Sequence, residues 1–202
     1  MSDAFFSPWL GMDTTDNMNL LQLVNPWSGN SWGFYTEYYQ WSPTENINSN
    51  FRGTVAGHTL YGSLTYNGDQ TYTLMQRDLN TGDYSTMQIP VQKYANGTYK
   101  NYTIPYIVYE KVADCQDYPP DEAVNFYEIS LYCNGERIYP KWIPGAVDEV
   151  CDFAAHSDSP DVVNITWSTT SKRRPTRAQI ERNKYTGLGR HHVLQVLRPR
   201  NV

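Results

Sequence analysis

The sequence predicts an all-β chain built as an antiparallel sandwich or barrel, and three features carry that expectation. Strand-like runs of about six to nine residues sit between turn signals. Aromatic residues reach 14% of 202 positions, with 17 Tyr, while charged residues make up only 18%. A large ring with a polar tip suits a half-buried sheet face. No apolar stripe of helical period occurs before residue 175.

The opening stretch "SPWLGMDTTDNMNLLQLVNPW", residues 7–27, fits neither a strand nor a helix by pattern. It holds a Trp-x-Gly-x-Asp turn and a short apolar run that ends on the amide of Gln22. Strand reading starts in earnest at "HTLYGSLTY", which places Leu60, Leu64 and Tyr66 on one face and Tyr61, Ser63 and Thr65 on the other. Asn67-Gly68 marks a tight turn, "TYTLMQRD" the next strand, Asn80-Thr81-Gly82-Asp83 a second turn, and "YSTMQI" a third strand. The three form a meander. "YTIPYIVYEKV", then "VNFYEISLYC" running to Asn134-Gly135, then "VVNITWST" continue the β pattern.

The domain plan is a β-sandwich over 1–170 and a basic tail over 171–202. Ser168 to Pro175 reads as a linker. Thr176-x-x-Gln179 offers a capping box and Gly187 a stop, so a helix over about 177–185 is expected, with "VLQVLRP" after it as a strand or docking segment. Charge divides at the same point. Residues 1–170 carry 7 basic and 20 acidic side chains, a net −13; residues 171–202 carry 9 basic and one acidic, a net +8. The acidic body would repel phosphate, so nucleic acid is not an expected partner. The tail is expected to dock on an acidic protein surface, its own or a partner's. No apolar run approaches the roughly 18 residues of a membrane span.

Arg52 is the first basic residue, and no secretory leader pattern precedes it. Three acceptor triplets, Asn96-Gly97-Thr98, Asn101-Tyr102-Thr103 and Asn164-Ile165-Thr166, favour an extracellular or secretory-lumen setting, with the cytosol as the alternative. Cys115, Cys133 and Cys151 leave at least one thiol unpaired within the chain. Cys115–Cys133 is the preferred pair in an oxidising compartment, and three free buried thiols are the other outcome. No metal or cofactor is expected. His191 and His192 point to opposite faces if extended, His58 is isolated, and "DCQDYPPDE" and "AHSDSPD" read as solvated acidic loops, because neither has the spacing of a calcium loop.

Four stretches together resemble the glutamic peptidases, the eqolisins, over about residues 5–135. "WLGMD" supplies Trp9, Gly11 and Asp13, and "NLLQ" supplies Gln22, matching the family's Trp-x-Gly-x-Asp opening and its catalytic Gln. "YYQWSP", Tyr38 to Pro43, resembles Trp-Tyr-Glu-Trp-Tyr-Pro, with Gln40 in place of Glu. The meander and its "LNTGD" turn resemble the central hairpins. The resemblance implies a concanavalin-like, jelly-roll sandwich. It also implies that Gln22 donates to the oxyanion of an attacked carbonyl. The family's catalytic Glu, counted back nine residues from Cys115, falls on Tyr106, whose phenol titrates too high to act as base near neutral pH. Glu110 lies four residues further on, roughly 13 Å along a strand, beyond reach of the same water.

The leading expectation is therefore a binding protein that grips an extended peptide or oligosaccharide but does not cleave it. Trp9, Asp13, Tyr38, Gln40, Trp41 and Tyr106 would line its groove, with Gln22 in the floor. For each aromatic alone, a place in the core competes with that role, and Asp13 can equally serve as a turn cap. Two alternatives stand beside it. One is an acid-active endopeptidase using Gln22 with Glu110 or another carboxylate, which requires an acid sharing a water with Gln22. The other is a structural subunit that docks through its basic tail.

Overall fold

In the computed structural model, residues 5–112, 114–144, 150–171 and 195–199 are described. The expected tail helix at 177–185 lies outside them. The chain forms two compact units, one of Trp9–Pro26 and Ser31–Tyr106, the other of Met1–Pro8, Trp27–Asn30 and Ile107–Val202. They are called the site unit and the terminal unit below. The division falls within two strands, β1 (Phe5–Thr14) and β9 (Tyr102–Val112).

The site unit is a two-layer antiparallel sandwich. One sheet runs from β1 through β2 (Asn19–Val24) and β3 (Trp32–Trp41) to β4 (Thr44–Asn48), with β5 (Arg52–Thr54) also paired to β3. The other is the expected meander: β6 (Leu60–Tyr66), β7 (Thr71–Asp78) and β8 (Tyr84–Pro90). Leu21, Leu23 and Tyr38 from the first sheet pack on Leu74, Ile89 and Val91, with Tyr102 of β9 in the same cluster. Leu64 and Tyr72 pack against it, while Tyr66, read on the same face as Leu64, is largely exposed at the strand end. The buried amide of Gln76 ties the layers together by donating to the carbonyls of Val24 and Tyr35.

The opening stretch is strand after all. β1 and β2 form a hairpin with Gly11 opposite Gln22 and Asp13 opposite Leu20. The alternation test failed there because β2 is buried at all six positions, so both faces are apolar or paired and no period of two appears.

In the terminal unit, β10 (Ala123–Phe126), β15 (Val162–Thr166) and β14 (Ala154–Ser159) form one sheet, and β11 (Leu131–Cys133) pairs with β12 (Glu136–Ile138). β16 (Gln195–Pro199) pairs with β13 (Trp142–Pro144) and with residues 107–109 of β9. Two expectations change here. "VNFYEISLYC" is not one strand: Glu128 takes a left-handed φ of 56°, and the run breaks into β10 and β11. "AHSDSPD" is largely strand rather than loop, since β14 pairs with β15 from Ala154 to Ser159. An aromatic core of Phe6, Tyr109, Tyr118, Phe153 and Trp167 fills this unit, with Phe153 stacked on Tyr109 at 4.3 Å.

The disulfide joins Cys115 to Cys151, and Cys133 is free and exposed. The expected Cys115–Cys133 pair is thus replaced. Cys133 sits at the end of the short β11–β12 hairpin opposite Glu136, while Cys151 is fully buried with its Cα 5.4 Å from that of Cys115.

Candidate functional site

The face of the first sheet turned away from the meander follows from register. Gln22 faces Gly11 on one side and Glu37 on the other, so Trp9, Asp13, Gln22, Glu37, Tyr39 and Trp41 share one face. Tyr38 and Gln40 project to the opposite face. Tyr38 is in the sandwich core, and its hydroxyl bonds Asn19 and Gln40 at 2.8 Å each. These two expected groove residues therefore lie on the far side of the sheet from Gln22, Tyr38 buried and Gln40 half-buried.

Gln22 and Glu37 are each only 7% exposed. The Gln22 Nε2 donates to Glu37 Oε2 at 2.8 Å, and Asn46 Nδ2 donates to Glu37 Oε1 at 2.5 Å. Burial pushes the Glu37 carboxyl above the usual carboxylate range, and the bonds from Asn46 and Tyr35 oppose that rise without cancelling it. The Gln22 Oε1 is buried without a protein partner among the described residues. This carboxyl–amide pair is the chemistry that sequence reasoning missed. The signal lay in "TEYYQ", where Glu37 stands three residues before the aligned Gln40, an odd step along the strand, and so on the other face.

Trp9 and Gly11 fix the amide. Trp9 is 2% exposed. A Cβ at Gly11 would lie 2.5 Å from the Leu21 carbonyl, 3.0 Å from the Trp9 ring and 3.3 Å from the Gln22 Cβ. Only glycine admits this approach. Gly11→Ala is expected to lower the melting temperature by several degrees, because the clash is with backbone and costs on the order of 1–3 kcal/mol. A thermal scan checks it.

Asp13 does act at the turn: its Oδ1 accepts the Thr14 backbone N–H at 2.8 Å. Burial pushes its carboxyl up to about 6, against the lowering effect of backbone bonds from Thr14 and Asn19. The folded state thus holds a proton on Asp13 that the unfolded chain releases near pH 4. Its contribution to stability is complete below about pH 4 and is lost as pH rises through about 6. Melting temperatures at pH 4 and 6.5 are expected to differ less in Asp13→Asn than in wild type.

Trp41 is 41% exposed and meets Tyr39 edge-on at 4.9 Å, which leaves an aromatic rim on the Gln22 face. Tyr106 is buried, and its hydroxyl donates to Asn17 Oδ1 at 3.1 Å. Glu110 belongs to the terminal unit. Among the described residues, no three His, Cys, Asp or Glu side chains cluster as a metal site would require.

Solved structures share this architecture. Aspergilloglutamic peptidase from Aspergillus niger matches with a TM-score of 0.58 and 15% identity, over 81% of this chain and 98% of that one. Scytalido-glutamic peptidase bound to a peptide-based transition state analog matches with a TM-score of 0.54 and 14% identity, over 83% and 85%. The chain carries the glutamic-peptidase fold. No protein-family profile and no curated protein matches the sequence. The antiparallel β-sandwich and the meander stand as expected. At this identity the likeness extends to architecture, and the chemistry rests on this chain's own side chains.

Proposed function

We propose that this protein is an acid-active hydrolase of extended peptides whose reacting groups are Gln22 and Glu37. The reading rests on one contact, the 2.8 Å bond between a buried amide and a buried carboxyl on adjacent strands. Glu37 as carboxylate takes a proton from water as the water oxygen attacks the peptide carbonyl, and it then passes that proton to the amide nitrogen as the C–N bond breaks and the amine leaves. One Gln22 N–H holds Glu37, and the second N–H of the same nitrogen is the donor for the oxyanion that develops. Burial raises the carboxyl, which makes its ionised form a stronger base than an exposed carboxylate. The peptide-based analog held by scytalido-glutamic peptidase supports a peptide over an oligosaccharide as ligand.

Cleavage of denatured protein between about pH 2 and 7 tests the proposal. Gln22→Ala is expected to lower kcat by about 10²–10³-fold, the usual effect of removing an oxyanion donor. Absence of wild-type cleavage across the range would discard the hydrolase. A second reading is then favoured by Tyr106, which stands where the resemblance places a catalytic Glu and is engaged by Asn17. In that reading the exposed Trp41 rim binds a peptide without turnover. Tryptophan fluorescence would respond to peptides in wild type, and the response would be lost in Trp41→Ala; an oligosaccharide panel separates the ligand classes.

A further inference from the structure

We propose that Asn96 is an N-glycosylation site, and that Asn101 and Asn164, which stand in the same triplet, are not. The transfer is a substitution. The Asn96 Nδ2 attacks C1 of the terminal sugar of a polyprenyl-diphosphate-linked oligosaccharide. The new C–N bond forms as the C–O bond to diphosphate breaks, the diphosphate leaves with the electron pair, and the amide proton passes to a base of the transferase. No oxidant or reductant is involved.

Three observations select Asn96. Asn96 and Thr98 are both exposed at the tip of a loop closed by the Lys93–Tyr99 bridge. The Tyr94 N–H donates to the Thr98 carbonyl and the Gly97 N–H to the Tyr94 carbonyl, both at 2.9 Å, with Gly97 at a φ of 85° that glycine alone adopts easily. Inside that turn, Thr98 Oγ1 donates to Asn96 Oδ1 at 2.7 Å, and the Thr98 N–H donates to the same oxygen at 3.0 Å. Both donors sit on the amide oxygen and polarise the group, which leaves Nδ2 as its accessible end.

The other two triplets do not take this shape in the fold, since Thr103 lies within β9 and Asn164 and Thr166 within β15. Along a strand, side chains two apart stand about 7 Å from each other, too far for a hydroxyl to reach the amide. In Asn101-Tyr102-Thr103, Tyr102 is 6% exposed in the core, and the Thr103 hydroxyl lies 3.1 Å from that of Thr15. Asn164 is on β15 between β10 and β14, opposite Asn125 and His156, and is half-buried. The Cys115–Cys151 disulfide is consistent with the oxidising lumen in which such transfer takes place.

The test is the mass of the full chain, translated behind a secretory leader into microsomes and recovered as protease-protected material, before and after digestion with an N-glycan amidase. One glycan increment is expected in wild type, Asn101→Gln and Asn164→Gln, and none in Asn96→Gln or Thr98→Ala. No increment in wild type, two or more increments, or an increment that survives Asn96→Gln would overturn the proposal.

Discussion

Glu37→Gln is expected to lower kcat for cleavage of denatured protein, at the pH where wild type is most active, by about 10²–10⁴-fold, the range lost when a general base is removed. The substitution keeps the shape of the side chain and an oxygen for the N–H of Gln22, and the exposed Asn46 amide turns its own oxygen to the new N–H. It removes the basic lone pair. The melting temperature should therefore stay near wild type and KM should change little, which separates a chemical role from a structural one. Glu37→Asp retracts the carboxyl by one methylene and is expected to give an intermediate kcat, because reach to the water is lost while basicity is kept. Retention of full kcat in Glu37→Gln would remove Glu37 from the mechanism. Asp13 would then be the next acid to replace, since it is the other buried carboxyl on the face of Gln22.

The meander was legible because its strands are short, alternate cleanly and end in Gly-containing turns; β6, β7 and β8 follow the expected runs. The β1–β2 hairpin was hidden from pattern, because a strand buried on both faces has no period to read. Resemblance found Gln22, and the pairing of β2 with β3 decided what faces it. A one-residue offset in that ladder exchanges every side chain between faces. The observed register puts Tyr38 in the core, leaves Gln40 half-buried on the same side, and brings Glu37 to the amide. Local spacing tells which residues of one strand share a face, but not which residue of a neighbouring strand each one meets, nor which two of three cysteines pair.

Cys151→Ser is the variant expected to cost the most stability. Cys115 and Cys151 enclose 36 residues of separation, and closing a loop of that length in the unfolded chain is worth about 3–4 kcal/mol on the entropic view. Cys151 and Asp152 hold left-handed φ values of 61° and 52°, a conformation non-glycine residues adopt at a cost of about 1–2 kcal/mol each. The Ser168 N–H donates to the Cys151 carbonyl at 2.7 Å and helps to hold that segment. Phe153, two residues on, packs in the aromatic core of the terminal unit, so release of the segment loosens that core as well. Urea titration should show Cys151→Ser, Cys115→Ser and the double variant destabilised alike, since each breaks the same bond. Adding reductant should move wild type to their midpoint and leave the double variant where it is. Cys133→Ser, at an exposed hairpin end, should stay within about 0.5 kcal/mol of wild type. A large loss in Cys133→Ser with little in Cys151→Ser would mean that the cysteines pair differently in solution.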